Sequence, residues 1–229
     1  MLVAEGKRLF VHRDVLVRHS DYFAKILETA DPKKQADGSI KMPKEITAKG
    51  LKDYIALAYF YDNISVYDGA YHQSAEGVHF SWGKISTDAP PDGDILMSNT
   101  VLWENSARFH HQPLVSFAGE SFKDNCDAFQ AVFRDEAVSA EVITGCVDNF
   151  VKAWMAARHP QLKSTIMGEF VAACTWDIFQ ANSRNGHELP GKFRTAAVKC
   201  YDAKLILKEE KKEDEEDEEE GSRKRRRVA

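Results

Sequence analysis

Leu9-Phe10-Val11-His12-Arg13-Asp14-Val15-Leu16-Val17-Arg18-His19-Ser20-Asp21-Tyr22-Phe23-Ala24-Lys25-Ile26-Leu27 decides the fold of this chain. It reads as a strand, a tight connection and a helix without a gap. Just upstream, Glu5-Gly6-Lys7 is a polar, Gly-centred break between Leu2-Val3-Ala4 and Leu9-Phe10-Val11, the pattern of a hairpin turn. Ser20 is placed to cap a helix, and Asp21 stands in its first turn, where the helix dipole favours negative charge. Tyr22, Phe23, Ile26 and Leu27 then share one face at helical spacing. On these residues alone, any α+β domain whose Phe23 and Leu27 fill a core fits the pattern.

The next apolar segments keep the same order. Ile40-Lys41-Met42-Pro43 reads as a short strand, and Leu51-Lys52-Asp53-Tyr54-Ile55-Ala56-Leu57-Ala58-Tyr59-Phe60-Tyr61 as a helix with Leu51, Tyr54, Ile55, Ala58 and Tyr59 on one stripe. After an interruption, Val101-Leu102-Trp103 with Ala107, Phe109, Leu114, Phe117, Ala118 and Phe122 predicts two small helices, the second started by Gln112-Pro113.

Taken together, Val11-His12-Arg13 with Leu16, the Ser20-x-x-Phe23 helix and the segments after them resemble the BTB/POZ domain. The resemblance implies an α+β fold, a helical cluster flanked by a short sheet, and a non-catalytic role in protein–protein association. It marks His12, Arg13, Leu16, Ser20 and Phe23 as the signature residues. Many such proteins are substrate adaptors of cullin-type ubiquitin ligases, which carry a hydrophobic-x-Glu motif after the Ser-x-x-Phe helix. Here Thr29-Ala30-Asp31-Pro32-Lys33-Lys34 places lysines where that acid stands, so a cullin is the alternative partner and a nuclear association module the leading expectation.

Dimers of the family use a segment ahead of the first strand, and pair the basic residue after the signature His, here Arg13, with an Asp from that segment. The sequence starts after both, as a start at an internal Met would leave it. We therefore expect no homodimer through the usual interface, and a buried or half-buried Arg13 partnered by Asp14 or Glu5.

The remaining chain divides by composition. From about Ile64 to Asn99, Gly69, Gly77, Gly83, Pro90-Pro91 and Gly93 with scattered aromatics defeat any single period, which marks an insertion over 64–100 within a domain spanning 1–125. It is read as a small hairpin around Val78-His79-Phe80-Ser81-Trp82, as a partner site, or as lineage variation. Beyond Cys126, Phe129 to Trp154 and then Gln161 to Phe179 recur at three- and four-residue spacings, up to the break at Asn185-Gly186. This predicts a helical extension over 126–207, similar to that of fungal BTB proteins.

Residues 208–229 run from an acidic block into Arg223-Lys224-Arg225-Arg226-Arg227. Their like charges repel and they offer no apolar face, so we expect a disordered tail. The basic cluster resembles a nuclear localisation signal read by an import receptor. The adjacent acids would compete with phosphate for those arginines, which argues against nucleic acid as a partner. The expected location is nuclear, with the cytoplasm as alternative.

With 229 residues, 43% of them hydrophobic, the chain can bury one sizeable core or two small ones. No apolar run approaches the ~20 residues that span a bilayer, and charges at Glu5, Lys7 and Arg8 leave no apolar signal core. A soluble intracellular chain without a membrane partner is expected. Cys126, Cys146, Cys174 and Cys200 are widely spaced among apolar or helical residues, which predicts reduced packing residues. No Cys-x-x-Cys or Cys/His pair has ligand spacing, so no metal is expected. Gly119-Glu120-Ser121 lacks a nucleophile elbow's second glycine, and no Gly-rich phosphate loop follows a strand, so neither catalysis nor a cofactor is expected. His110-His111 beside Phe109 reads as one exposed and one buried histidine in a helical stretch.

Overall fold

The computed structural model describes residues 1–28, 37–64, 95–184 and 188–204. It opens on a hairpin, β1 (Leu2–Ala4) and β2 (Lys7–Leu9), paired antiparallel with Leu2 opposite Leu9 and Ala4 opposite Lys7. Glu5 and Gly6 both adopt positive φ, 48° and 74°. A two-residue turn of that hand matches the twist of its strands. The expected strand over Leu9–Val11 is shorter than its sequence suggests, since pairing stops at Leu9 and Phe10 stands 81% exposed.

What reads as a tight connection is a helix of its own, α1 (Arg13–His19), followed after Ser20 by α2 (Asp21–Glu28). Leu16 alone of α1 is buried, so a hydrophobic period has little chance to show over seven residues. The chain returns as β3 (Ile40–Lys41), parallel to β1, with Leu2 opposite Ile40. The sheet order is β2-β1-β3. Leu2, Ala4 and Ile40 face the core while Val3 is only half-buried, the two-residue alternation of a half-covered sheet.

Helix α3 (Ala48–Ile64) buries Leu51, Tyr54, Ile55 and Ala58 as the stripe predicts, and Leu57 besides. Tyr59, expected on that stripe, is 38% exposed. Helix α4 (Ile95–Arg108) starts five residues inside the stretch read as insertion. Leu96 and Asn99 are buried there, and Thr100 donates from Oγ1 to the Leu96 carbonyl at 2.8 Å. Buried polar residues hide this helix from a hydrophobic reading. Residues 65–94, which include the hairpin expected around Val78–Trp82, lie outside the described residues.

Pro113 sits in the first turn of α5 (Gln112–Arg134), where its missing N–H costs nothing. The expected second small helix is thus 23 residues long, and the division at 125/126 falls within it. Helices α6 (Ala140–Ala156), α7 (Pro160–Ala173) and α8 (Trp176–Arg184) follow, and residues 188–204 end in a ninth helix, α9, over 191–204. The single pattern from Gln161 to Phe179 is two helices parted at Cys174–Thr175, where the Thr175 hydroxyl accepts the Ile178 N–H at 3.4 Å. The break expected at Asn185-Gly186 and the tail over 205–229 lie outside the described residues.

Two apolar cores result. One gathers the sheet, α1, α2 and α3 around Phe23, Tyr54 and Phe109, and takes Leu102 from α4 and Leu114 and Ala118 from α5. The other takes Leu96 from α4 and Phe122 onward from α5, and joins them to α6, α7, α8 and α9. A chain of rings runs through the second core, from Phe129 to Phe150, Phe170 and Phe193, with centroids 5.5, 5.3 and 5.1 Å apart. Trp103 packs against both cores. Tyr201 of α9 donates its hydroxyl to the Cys174 carbonyl at 2.6 Å, and Lys204 donates to that of Val171 at 3.0 Å, so α9 closes the end of α7.

Candidate protein-interaction surface

The five signature residues separate into two sets. Leu16, Ser20 and Phe23 are buried, at 3, 1 and 0% exposure. Ser20 sits between α1 and α2, where its Oγ accepts the Phe23 N–H at 3.3 Å and donates to the Phe109 carbonyl, so one hydroxyl both caps α2 and ties it to the end of α4. Phe23 meets Phe109 and Tyr54 at centroid distances of 4.8 and 6.3 Å. These three residues hold the fold.

His12 and Arg13 are exposed. His12 precedes α1, its N–H donates to the Tyr59 hydroxyl at 2.9 Å, and its ring meets the Tyr59 edge 5.8 Å away. Exposed Arg13 corrects the expectation of a buried cation needing Asp14 or Glu5. It occupies the first position of α1, and the Glu5 carboxylate is otherwise engaged, accepting the Ala48 N–H of α3 at 2.8 Å. His12 and Tyr59 form an exposed aromatic pair, and Phe10, two residues before His12 in sequence, is exposed as well. Tyr59 was missed as part of it because helical spacing puts it beside Tyr54 and Ile55; the neighbouring Phe10, the most exposed large apolar residue described, was read as strand.

Behind this surface lies a buried polar link. His110 and His111 occupy the turn between α4 and α5, not a helix, with His110 exposed at φ 54° and His111 fully buried. His111 Nδ1 lies 3.1 Å from the Tyr54 hydroxyl, and its ring stacks on that of His19 at 5.2 Å. Burial, with His19 adding to it, pushes its pKa down to about 4.

Three cysteines, Cys126, Cys146 and Cys174, are buried and Cys200 is half-buried, all as free thiols. Burial pushes Cys146 and Cys174 each up to about 12, far from a reactive thiolate. The basic cluster Arg223, Lys224, Arg225, Arg226 and Arg227 lies outside the described residues, as do Thr29–Lys34. Among the described residues no helix is long and apolar enough to cross a membrane.

A hairpin runs into two short helices, a parallel third strand and a helix held to them through Ser20, Phe23 and Tyr54. Residues 1–67 match the family model of the BTB/POZ domain. No curated protein and no solved structure matches the chain. The domain is a protein–protein interaction module, a class whose members are in general not enzymes.

Proposed function

We propose that this chain is a nuclear protein-association module that meets its partner on the surface formed by Phe10, His12 and Tyr59. The observation that carries the reading is the exposure of Phe10, 81%, and Tyr59, 38%, while Phe23, Tyr54 and Phe109 of the same domain are in its core. An aromatic in that position costs solvation until it is covered. The nuclear part rests on Arg223–Arg227, a run of five cations suited to the acidic grooves of an import receptor.

Affinity capture of the full chain from its own cells tests the contact. The Phe10→Ser variant is expected to lose partners that the parent retains, and equal recovery by both overturns the surface. Recovery of a cullin scaffold by the parent would replace the association reading with that of a ligase adaptor. Import is tested by enlarging the protein with a fluorescent fusion beyond passive diffusion and replacing Arg225, Arg226 and Arg227 with Ala. The fusion is expected to move to the cytoplasm, and unchanged nuclear accumulation removes the import role.

A further inference from the structure

A cavity of about 450 Å³, a size common among ligand pockets, opens where the β1–β2 turn, the start of α3, one face of α4 and the end of α6 meet. Its apolar lining comes from Ile46, Met97, Val101 and Ala156. Helices α3 and α4 approach closely over Gly50, where a Cβ would stand 2.7 Å from Val101 Cγ1 and 2.9 Å from Asn105 Nδ2. Gly50, Val101 and Asn105 all line the cavity, so the absent side chain leaves a cradle in its wall.

The rim carries four carboxylates and three cations, and every carboxylate already has a partner in the wall. Glu5 accepts the Ala48 N–H, and Glu104 accepts those of Arg158 and His159, all at 2.8 Å, so both acids sit at the positive ends of helices. Glu45 lies 3.5 Å from Arg108, and Asp53 Oδ2 lies 3.5 Å from Lys49. An anion would enter against the excess of carboxylates, and a cation would have to displace a partner that one of them holds. What the wall leaves open is one donor and one acceptor. Asn105 is 4% exposed, and among the described residues its Nδ2 has no acceptor; Asp53 Oδ1, one turn along α3 from Gly50, has no donor. Burial raises the Asp53 pKa, as expected of a carboxylate short of donors. Unanswered buried polar atoms are costly, and a ligand that supplies both partners relieves both.

We propose that this cavity binds an uncharged aliphatic carboxamide, whose carbonyl accepts from Asn105 Nδ2, whose N–H donates to Asp53 Oδ1 and whose alkyl body lies on Met97 and Val101. A carboxamide answers a donor and an acceptor with one planar group that brings no charge. Peptide units and free small amides share this chemistry, and an aliphatic residue in a protein segment carries it as well as a small molecule does. The inference goes beyond the Phe10 surface and does not depend on it.

The test is a titration of the full chain with ligands of one carbon skeleton, read from the Gly50 backbone and Asn105 side-chain amide resonances. Isovaleramide is expected to shift both saturably. Isovalerate, an anion, and isoamylamine, a cation, are expected to bind at least about tenfold more weakly, as is N,N-dimethylisovaleramide, which keeps the carbonyl but has no N–H. Asn105→Leu, read from Gly50, is expected to lower isovaleramide affinity by a similar factor. No saturable shift, equal binding of a charged or dimethylated analogue, or unchanged affinity in Asn105→Leu overturns the proposal. Should that variant not fold, the four ligands on the parent protein still decide. A final arm separates the carriers. A capped peptide with one leucine among alanines that binds more tightly than isovaleramide supports a protein segment as the source, and exclusion of that peptide while isovaleramide binds supports a free small amide.

Discussion

The Tyr54 hydroxyl and His111 Nδ1 lie 3.1 Å apart inside the first core, and they join the middle of α3 to the start of α5. The histidine is neutral there at pH 7, since burial has pushed its pKa down to about 4. An unfolded histidine takes its proton near pH 6.5. Between those values the unfolded chain binds more protons than the folded one, so this group's contribution to stability is complete above pH 6.5 and declines as pH falls toward 4. The slope is at most about 1.4 kcal/mol per pH unit. Urea midpoints measured from pH 4.5 to 7.5 should show it, and His111→Gln should flatten it. An unchanged slope in the variant assigns the acid sensitivity elsewhere.

Phe23 and Phe10 are expected to differ sharply although both are aromatic residues of one short segment. Phe23→Ala removes a fully buried ring and should cost on the order of 3–5 kcal/mol. Phe10→Ser alters an 81% exposed one and should stay within about 0.5 kcal/mol. Denaturant unfolding of both variants decides the matter, and equal losses would contradict the placement of the two rings.

Ser20→Ala deletes a cap and leaves the buried Phe109 carbonyl without that donor. A loss of about 1–3 kcal/mol is expected. A thermal midpoint within a degree of the parent would show that neither bond matters.

At Gly50, helix propensity and packing oppose each other. Alanine gains up to ~1 kcal/mol in a helix, but its Cβ would meet Val101 Cγ1 at 2.7 Å, and overpacking of this kind costs about 1–3 kcal/mol. Net destabilisation is expected, with Val101→Ala restoring part of it in the double variant. Calorimetry of the four proteins of that cycle gives the coupling directly.

Thiol labelling should follow burial. Cys200 is half-buried and should react first with a maleimide, ahead of Cys126, Cys146 and Cys174, whose thiols burial holds protonated. Mass spectrometry of the native protein after brief labelling reads the order, and early modification of Cys146 would refute it.

Residues whose polarity follows their burial were easy to read. The Gly6 turn, the capping Ser20, the buried face of α3 and Pro113 at the head of α5 all stand where pattern and propensity place them. Reading failed where that link breaks. Helix α1 buries one side chain in seven residues, and the start of α4 buries Asn99 and Thr100, which look like loop residues. The Asn99 carbonyl oxygen of the side chain accepts the Ser121 hydroxyl at 3.1 Å, an arrangement that only the packing of α4 on α5 creates. For the proposed surface, His12 was legible through the resemblance, whereas Tyr59 meets it by a bond spanning 47 residues.

Helix α5 gives Leu114 and Ala118 to one core and Phe122, Cys126 and Phe129 to the other. Melting either core strips the helix of half its support, so heat should dissolve the described body in one step, with a single heat-absorption peak whose calorimetric and van't Hoff enthalpies agree. A clone cut at residue 125 would part Leu114 from Phe129 and leave each fragment with a frayed end where the other had a wall. For anyone expressing this protein, the useful unit is the whole span through residue 204.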